Sequence, residues 1–472
     1  MVDPRMKRQI PTARGWTILL VVSLILLVVV VSFGGGLVAE RWLFQGAAPF
    51  DQTSGGRSDA ASDPYDPRLA FPRLTEVKHL LEHEYFYRPA APDAAATFVA
   101  KLDRDAIAGM TVAAATPAAS LAEYRRELEY AGIHGMTSGL EDAYTVFLEP
   151  ALQAPLAEDL RGEYEGIGVV VNQPEGRFTI ISVYPGSPAE AAGLQANDVI
   201  LEADDTPLTD LETARALEVI RGPAGTRVRL VIEREGEAAP FAVEVERQAI
   251  VTQSVIYEPV ADGRLGWIRV GIFGDKTTGQ LDVALRQAEE DDVAGIVLDL
   301  RANGGGWVVS AQEVIGRFVP ADRGPALYED RRPGDDDPLE ALSILNGGPT
   351  RFDLPLVVLI DGGTASAAEI VAGALREYGR ARLVGLPTFG KGSVQRVHDF
   401  ADGSSARVTS AQWLTPDQAP IPGDGLQPDV TVALAEGEDE HDEQLDRAIE
   451  TLLDSATRQH PAQQSVLLTF PV

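Results

Sequence analysis

Two residues in this chain carry side chains that could do covalent chemistry together. Ser366 lies in Asp361-Gly-Gly-Thr-Ala-Ser-Ala-Ala-Glu369, a run of small residues that opens an expected helix from Ala365 to Arg376. Lys391 lies 25 residues on, between two glycines, in Thr388-Phe-Gly-Lys-Gly-Ser-Val-Gln395. A serine hydroxyl needs a base to become a nucleophile, and a desolvated lysine amine can serve where no histidine does. The chain has only five lysines and otherwise uses arginine, so a lysine here is chosen for its amine. Taken singly, Ser366 reads as a helix cap and Lys391 as an exposed loop charge. Taken together they read as a serine–lysine hydrolase dyad.

The histidines offer no better base. His79, His83 and His134 fall in front helices, and His441 and His460 fall towards the end. His398 alone lies near the core motifs, in an expected strand. His79 and His83 are four apart on a helix, but His-Leu-Leu-Glu-His lacks the zinc-protease order, so neither metal nor cofactor is expected. No cysteine is present, which excludes disulfides and a catalytic thiol.

The elements around the pair must hold it in place. From Ser254 onward apolar strands alternate with helices: strands at 265–270, 295–300 and 354–360, helices at 277–290 and 308–318. That pattern predicts an α/β core. Asp299-Leu-Arg-Ala-Asn-Gly-Gly-Gly-Trp307 joins a strand to a helix, and its glycines allow backbone amides to face a developing oxyanion. Upstream, short strands at 178–183, 199–203, 227–233 and 241–246, with helices at 188–192 and 211–220, form a compact β-rich module. Helices are expected over 69–87 and 121–148, while Ala94–Ala119 has no clear assignment.

Residues 15–39 carry no charge, and at helical rise they span roughly 37 Å, enough for a bilayer core of about 30 Å. Arg5, Lys7, Arg8 and Arg14 precede them, so the bulk of the chain is expected outside the cytoplasm. A cleaved signal peptide competes, but the apolar run is long and Leu37-Val-Ala-Glu40 is a poor cleavage site. The net charge of −31 argues against nucleic acid. The expected organisation is a basic N-terminus (1–14), a transmembrane anchor (15–39), a linker (40–67) and a helical region (68–155). A PDZ-like module (156–250), a peptidase core (251–455) and a tail (456–472) follow.

Four ordered segments, Glu165–Gly168, Leu300–Gly306, the Ser366 turn and Gly390–Gln395, resemble the carboxyl-terminal processing (tail-specific) serine peptidases. Tyr184–Gly193 resembles part of that family's PDZ domain, Gly132–Pro150 the segment before it, and Trp413–Pro416 and Gly425–Val430 its closing strands. The resemblance implies a ClpP/crotonase-like αβ protease core with an inserted PDZ-like domain. It implies Ser366 as nucleophile, Lys391 as base and Gln395 as the residue orienting the amine. Ala367 and Gly305 or Gly306 would supply the oxyanion donors, and burial by Phe389, Val394 and Phe400 would depress the amine. Gly166, Ile167, Gly168 and Val169 would capture a peptide C-terminus. The loop departs from the family at Ala302-Asn-Gly-Gly-Gly, where relatives carry a proline before the glycine pair.

The expected function is a membrane-anchored serine endopeptidase acting on C-terminal tails outside the cytoplasm, at the cell membrane. A catalytically silent PDZ scaffold of the envelope is the alternative, and a small-molecule hydrolase a third. Expected partners are protein C-termini and the membrane; a second copy of the chain or an adaptor protein is left open.

Overall fold

In a computed structural model, residues 71–459 are described except 115–119, 174–175, 210, 212, 332–337, 422 and 434–440. The anchor expected at 15–39 lies outside the described residues, and no described helix is long and apolar enough to cross a membrane. The chain divides into two units, 154–254 with 274–280, and the remainder.

The larger unit opens with helices α1 (Pro72–His83), α2 (Pro92–Ala113) and α3 (Leu121–Ser138), then strand β1 (Val146–Leu148). The Ala-rich segment without an assignment is α2 as far as Ala113. Gly109 and Gly135 let α2 and α3 approach so closely that a Cβ on Gly135 would fall within 2.2 Å of Asp105 O. The helix expected to run to 148 stops at Ser138, because Thr145 and residues 146–148 join strand pairing further on.

The smaller unit holds most of α4 (Pro150–Arg161), then β2 (Glu163–Gly166), β3 (Val169–Asn172), β4 (Thr179–Val183), α5 (Pro188–Ala191) and β5 (Val199–Ala203). β6 (Thr206–Pro207), α6 (Thr213–Ile220), β7 (Arg227–Glu233), β8 (Phe241–Glu246) and β9 (Gln248–Val251) complete it. Its sheet runs β3-β4-β5-β7-β8 around a core that includes Ile167, Phe178, Ile180, Ile200 and Val228.

The larger unit resumes with β10 (Val255–Val260) and β11 (Leu265–Val270). Next come α7 (Thr277–Glu290), whose start belongs to the smaller unit, β12 (Ile296–Asp299), α8 (Val308–Phe318), β13 (Pro325–Asp330) and β14 (Glu340–Ser343). Then come β15 (Leu356–Ile360), α9 (Ala367–Glu377), β16 (Arg382–Gly385), β17 (Ser393–Asp399), β18 (Ser405–Leu414), β19 (Val430–Thr431) and α10 (Glu443–Gln459). The main sheet runs β10-β11-β12-β15-β16-β19, parallel from β11 onward. Every residue of β12 and β15 is buried, as expected for strands covered on both faces. α7, α8 and α9 cover one face and α10 the other. A second sheet is built on β18, which takes β17 along one edge and β1 and β13 at its other pairings. Because β12 and β15 are parallel neighbours, the loops at their carboxyl ends emerge side by side. One is the glycine loop and the other carries Ser366, the arrangement that places sites at the carboxyl ends of α/β sheets.

Candidate active site

Ser366 is the N-cap of α9, which begins at Ala367, two residues later than expected; its φ is +56° and its ψ −119°. A non-glycine residue costs on the order of 1–3 kcal/mol in such a region, and persists only where its surroundings hold it. Three attachments do so. Ala365 N donates to Asn303 O at 2.9 Å. Phe389 N donates to Thr364 O at 2.9 Å, and Thr364 Oγ1 donates to Leu300 O at 2.9 Å. The third is Glu369, which is wholly buried. Its Oε2 accepts from Ser366 N at 2.8 Å and Lys391 N at 2.9 Å; its Oε1 accepts from Thr388 Oγ1 at 2.6 Å and Gly390 N at 2.8 Å. One carboxylate thus fixes both the nucleophile turn and the backbone of the lysine loop.

The glycine loop packs against the same turn. A Cβ on Gly305 would come within 2.8 Å of Ser366 Cβ and Ala365 O and 3.0 Å of Ala367 N, and its φ is +104°. Only glycine allows that approach. Asn303 is fully buried; its Nδ2 donates to Val270 O at 2.8 Å and its Oδ1 accepts from Gly305 N at 2.9 Å. Gly305 N is therefore occupied, and of the two glycine amides it is Gly306 N that has no acceptor among the described residues. Ala367 N, first in its helix, has no intrahelical acceptor either. Arg301 anchors the loop from behind, bonding Asp299 and reaching Asp442 at the head of α10.

Residues 264–432 match the family model described as peptidase family S41, and residues 179–234 that of a PDZ domain. The chain carries an S41 peptidase domain preceded by a PDZ domain. It is 33% identical over 310 residues to the carboxy-terminal processing protease CtpB of Bacillus subtilis, covering 65% of this chain and 63% of that one. It is 33% identical over 308 residues to a probable CtpA-like serine protease of Staphylococcus haemolyticus, covering 65% and 60%. The match thus spans a little over three fifths of those relatives' length. A solved photosystem II D1 C-terminal processing protease is 28% identical, is matched over 80% of this chain and 96% of that one, and superposes at a TM-score of 0.45.

Within the S41 domain the amine departs from expectation. Lys391 Nζ lies 5.0 Å from the centroid of the Tyr144 ring, and no hydrogen bond joins it to Ser366 Oγ. Burial pushes its pKa down to about 8; Arg407 adds to the depression, and Asp142 and Glu369 oppose it. The aromatic wall is Tyr144, not the apolar set expected. Phe389 is 45% exposed, Phe400 packs among the N-terminal helices and Val394 lies against the main core. Nor does Gln395 touch the amine. A bulge between Val394 and Gln395 re-aims its side chain, and Nε2 donates to Ser393 Oγ at 2.9 Å and Thr409 Oγ1 at 3.2 Å. His398 pairs with Glu84 at 3.1 Å.

Glu369, Asn303, Tyr144 and Arg407 went unnoticed in the sequence. The first had a signal, since Ser366-Ala-Ala-Glu369 has the spacing of a capping box. Tyr144 is 247 residues from Lys391 and reaches it only because β1 pairs with β18. A cavity of about 710 Å³ opens beside the lysine loop, lined by Tyr85, Asp142, Tyr144, Gly390, Trp413 and Ile421 among others. A second, of about 340 Å³, includes Trp307, Val308, Val394 and Gln395. In the PDZ unit, Gly166 ends β2, Ile167 is buried in the core, Gly168 has φ +83° and Val169 begins the edge strand β3.

Proposed function

We propose that the chain is a serine endopeptidase that cleaves proteins near their C-termini, with Ser366 as nucleophile and Lys391 as general base. The observation that carries this is the Glu369 carboxylate, which holds the backbone of both residues while leaving a depressed, unpaired amine beside them. The relatives' names supply the substrate class: both are processing or CtpA-like proteases.

The chemistry begins with the amine neutral. Lys391 turns from the Tyr144 ring towards Ser366 and takes the hydroxyl proton as Oγ attacks the peptide carbonyl. The carbonyl oxygen becomes an oxyanion facing Ala367 N and Gly306 N. The ammonium returns its proton to the leaving amine, the C–N bond breaks and an ester to Ser366 remains. Water, deprotonated by Lys391, attacks that ester, and the serine leaves reprotonated. Tyr144 favours the ammonium form through its ring face, so the arrangement with the amine on the ring is a resting one. The two cavities flanking the lysine loop would receive the chain on either side of the scissile bond.

The PDZ unit would select substrates by their C-terminal carboxylate. β3 is an edge strand able to pair with an extended peptide, and α6 would form the other wall. Residues 15–39 would anchor the enzyme in a membrane, with the peptidase outside the cytoplasm. The missing Ser366–Lys391 bond favours one second reading, a catalytically silent PDZ scaffold. A serine-reactive fluorophosphonate separates the two. It should label the wild-type protein and neither Ser366→Ala nor Lys391→Ala, and both variants should lose peptide cleavage while staying folded. Undiminished turnover in either purified variant would refute the dyad.

A further inference from the structure

The larger cavity beside the lysine loop, about 710 Å³, has a lining of one-sided charge. Tyr85, Tyr87, Tyr144 and Trp413 give it aromatic walls, and Glu141 and Asp142 give it two carboxylates. No lysine, arginine or histidine is among the described residues that line it. All of these residues belong to the larger unit. The walls are built into the fold. Tyr85 and Tyr87 meet edge to face with ring centroids 5.8 Å apart, and the Tyr87 hydroxyl accepts from Gln412 Nε2 at 3.2 Å. Trp413 Nε1 donates to Lys391 O at 2.9 Å, which ties the cavity wall to the lysine loop.

Asp142 is held but not neutralised. Its Oδ1 accepts from Tyr144 N at 3.0 Å and its Oδ2 from Thr145 Oγ1 at 2.7 Å, both uncharged donors. Thr145 Oγ1 in turn accepts from Thr409 N at 3.0 Å, which fastens the acid to β18. Neither Asp142 nor Glu141 forms an ion pair among the described residues. Burial and the Asp142 charge push the Tyr85 and Tyr144 phenols up, so both rings stay neutral. A carboxylate among neutral aromatic rings recognises a desolvated cation. The chain itself supplies one: Lys391 Nζ stands 5.0 Å from the Tyr144 centroid, where Asp142 favours its ammonium. Once that amine is neutral for the reaction, the two carboxylates line the cavity without a counter-charge.

We propose that this cavity is a subsite for a basic residue of the substrate, a lysine or arginine beside the scissile bond, and that Asp142 determines the preference. This rests on the reading of Ser366 and Lys391 as a peptidase dyad. Glu141 is exposed, so its attraction is screened and smaller. Binding and chemistry are then linked. A substrate cation beside Asp142 offsets the charge that favours the Lys391 ammonium, so a filled subsite also releases the base.

The test offers the full chain internally quenched peptides in which norleucine at each position around the cleaved bond is replaced in turn by lysine. At one position lysine should raise kcat/KM by about 10-fold or more, the worth of a hydrogen bond to a charged group. Asp142→Asn should erase most of that preference while speeding the norleucine peptide at pH 7, a split that a damaged fold cannot produce. Glu141→Gln should weaken the preference less. Binding to the Ser366→Ala chain, read by fluorescence anisotropy, gives a measurement independent of turnover. Cleavage with no lysine preference at any position, or with one that Asp142→Asn leaves intact, overturns the subsite and spares the peptidase reading. Tighter, Asp142-dependent binding of the lysine peptide without cleavage by the wild-type chain upholds the subsite and overturns the peptidase reading. Equal binding of the two peptides with no cleavage overturns both.

Discussion

The acid limb of the pH–rate profile should belong to Lys391 and should move in opposite directions when its two charged neighbours are removed. With a pKa of about 8, against an ordinary 10.5, the amine is roughly 9% neutral at pH 7 where an unperturbed one would be about 0.03%. Burial and Arg407 thus raise the supply of free base roughly 300-fold. Below pH 8, kcat/KM should climb tenfold per unit, then level off. Arg407 stands on β18 opposite Val397 of β17 and Val146 of β1, and its charge disfavours the ammonium. Arg407→Met should therefore shift the midpoint towards alkaline pH and lower the rate at pH 7. Asp142 favours the ammonium, so Asp142→Asn should shift it towards acid and raise that rate. The assay is kcat/KM on a short fluorogenic peptide between about pH 6 and 10, a range bracketing the titration. Shifts of the same sign in both variants would show that another group titrates. Linkage gives a second measurement. The folded-state pKa lies below the unfolded one, so below pH 8 both states are protonated and the native state bears the full cost of a buried charge. That cost is about 3 kcal/mol from 1.36 kcal/mol per unit. Between pH 8 and 10.5 the unfolded chain binds more protons, so stability rises with pH in that window. Lys391→Met should recover up to about 3 kcal/mol at pH 7 in urea denaturation, and the gain should vanish by about pH 10.5.

Glu369→Gln should leave two of the four donors on that side chain without an acceptor, costing about 2–4 kcal/mol by denaturant titration and more than about 100-fold in kcat. Gly305→Ala should drive a Cβ into Ala365 O and Ser366 Cβ from a left-handed φ, abolishing fluorophosphonate labelling. Asp442 is drawn below the usual carboxylate range by its bonds from Arg301, against the opposing effect of burial. Its contribution is therefore present at neutral pH and lost as pH falls through the folded-state value. Asp442→Asn should cost about 1–3 kcal/mol at pH 7 and progressively less as pH falls through the folded-state value, and should lower kcat more than KM by loosening the glycine loop.

Much of this site could be read from local patterns because its parts are local. Uninterrupted apolar runs gave β12 and β15, since strands covered on both faces show no alternation. The small-residue turn and the three glycines marked the loops that follow them. What escaped depends on pairing at long range. β1 is three residues long and too short for periodicity, yet its pairing with β18 brings Asp142 and Tyr144 to the lysine. The bulge that turns Gln395 towards Thr409 is set by the register of β17 on β18, which no residue in Gly390–Gln395 announces. The Ala-rich segment hid α2 because its glycine contact with α3 is a fit between two helices, invisible in either alone.

Glu369 shows why this site can keep a lysine basic enough to react and neutral enough to do so. A buried carboxylate beside a lysine would ordinarily form an ion pair, which stabilises the ammonium and raises its pKa. Here all the acceptor capacity used is directed elsewhere: three backbone N–H groups and the Thr388 hydroxyl converge on it, and Lys391 contributes its backbone, not its amine. No carboxylate pairs with the amine among the described residues, and Glu369 is the weakest of the influences on it. The four donors compensate the buried negative charge without supplying a counter-ion. The amine is left to desolvation and to Arg407, both of which drive off its proton. Removing those donors would leave the carboxylate free to pair with the lysine amine, and the base would be lost.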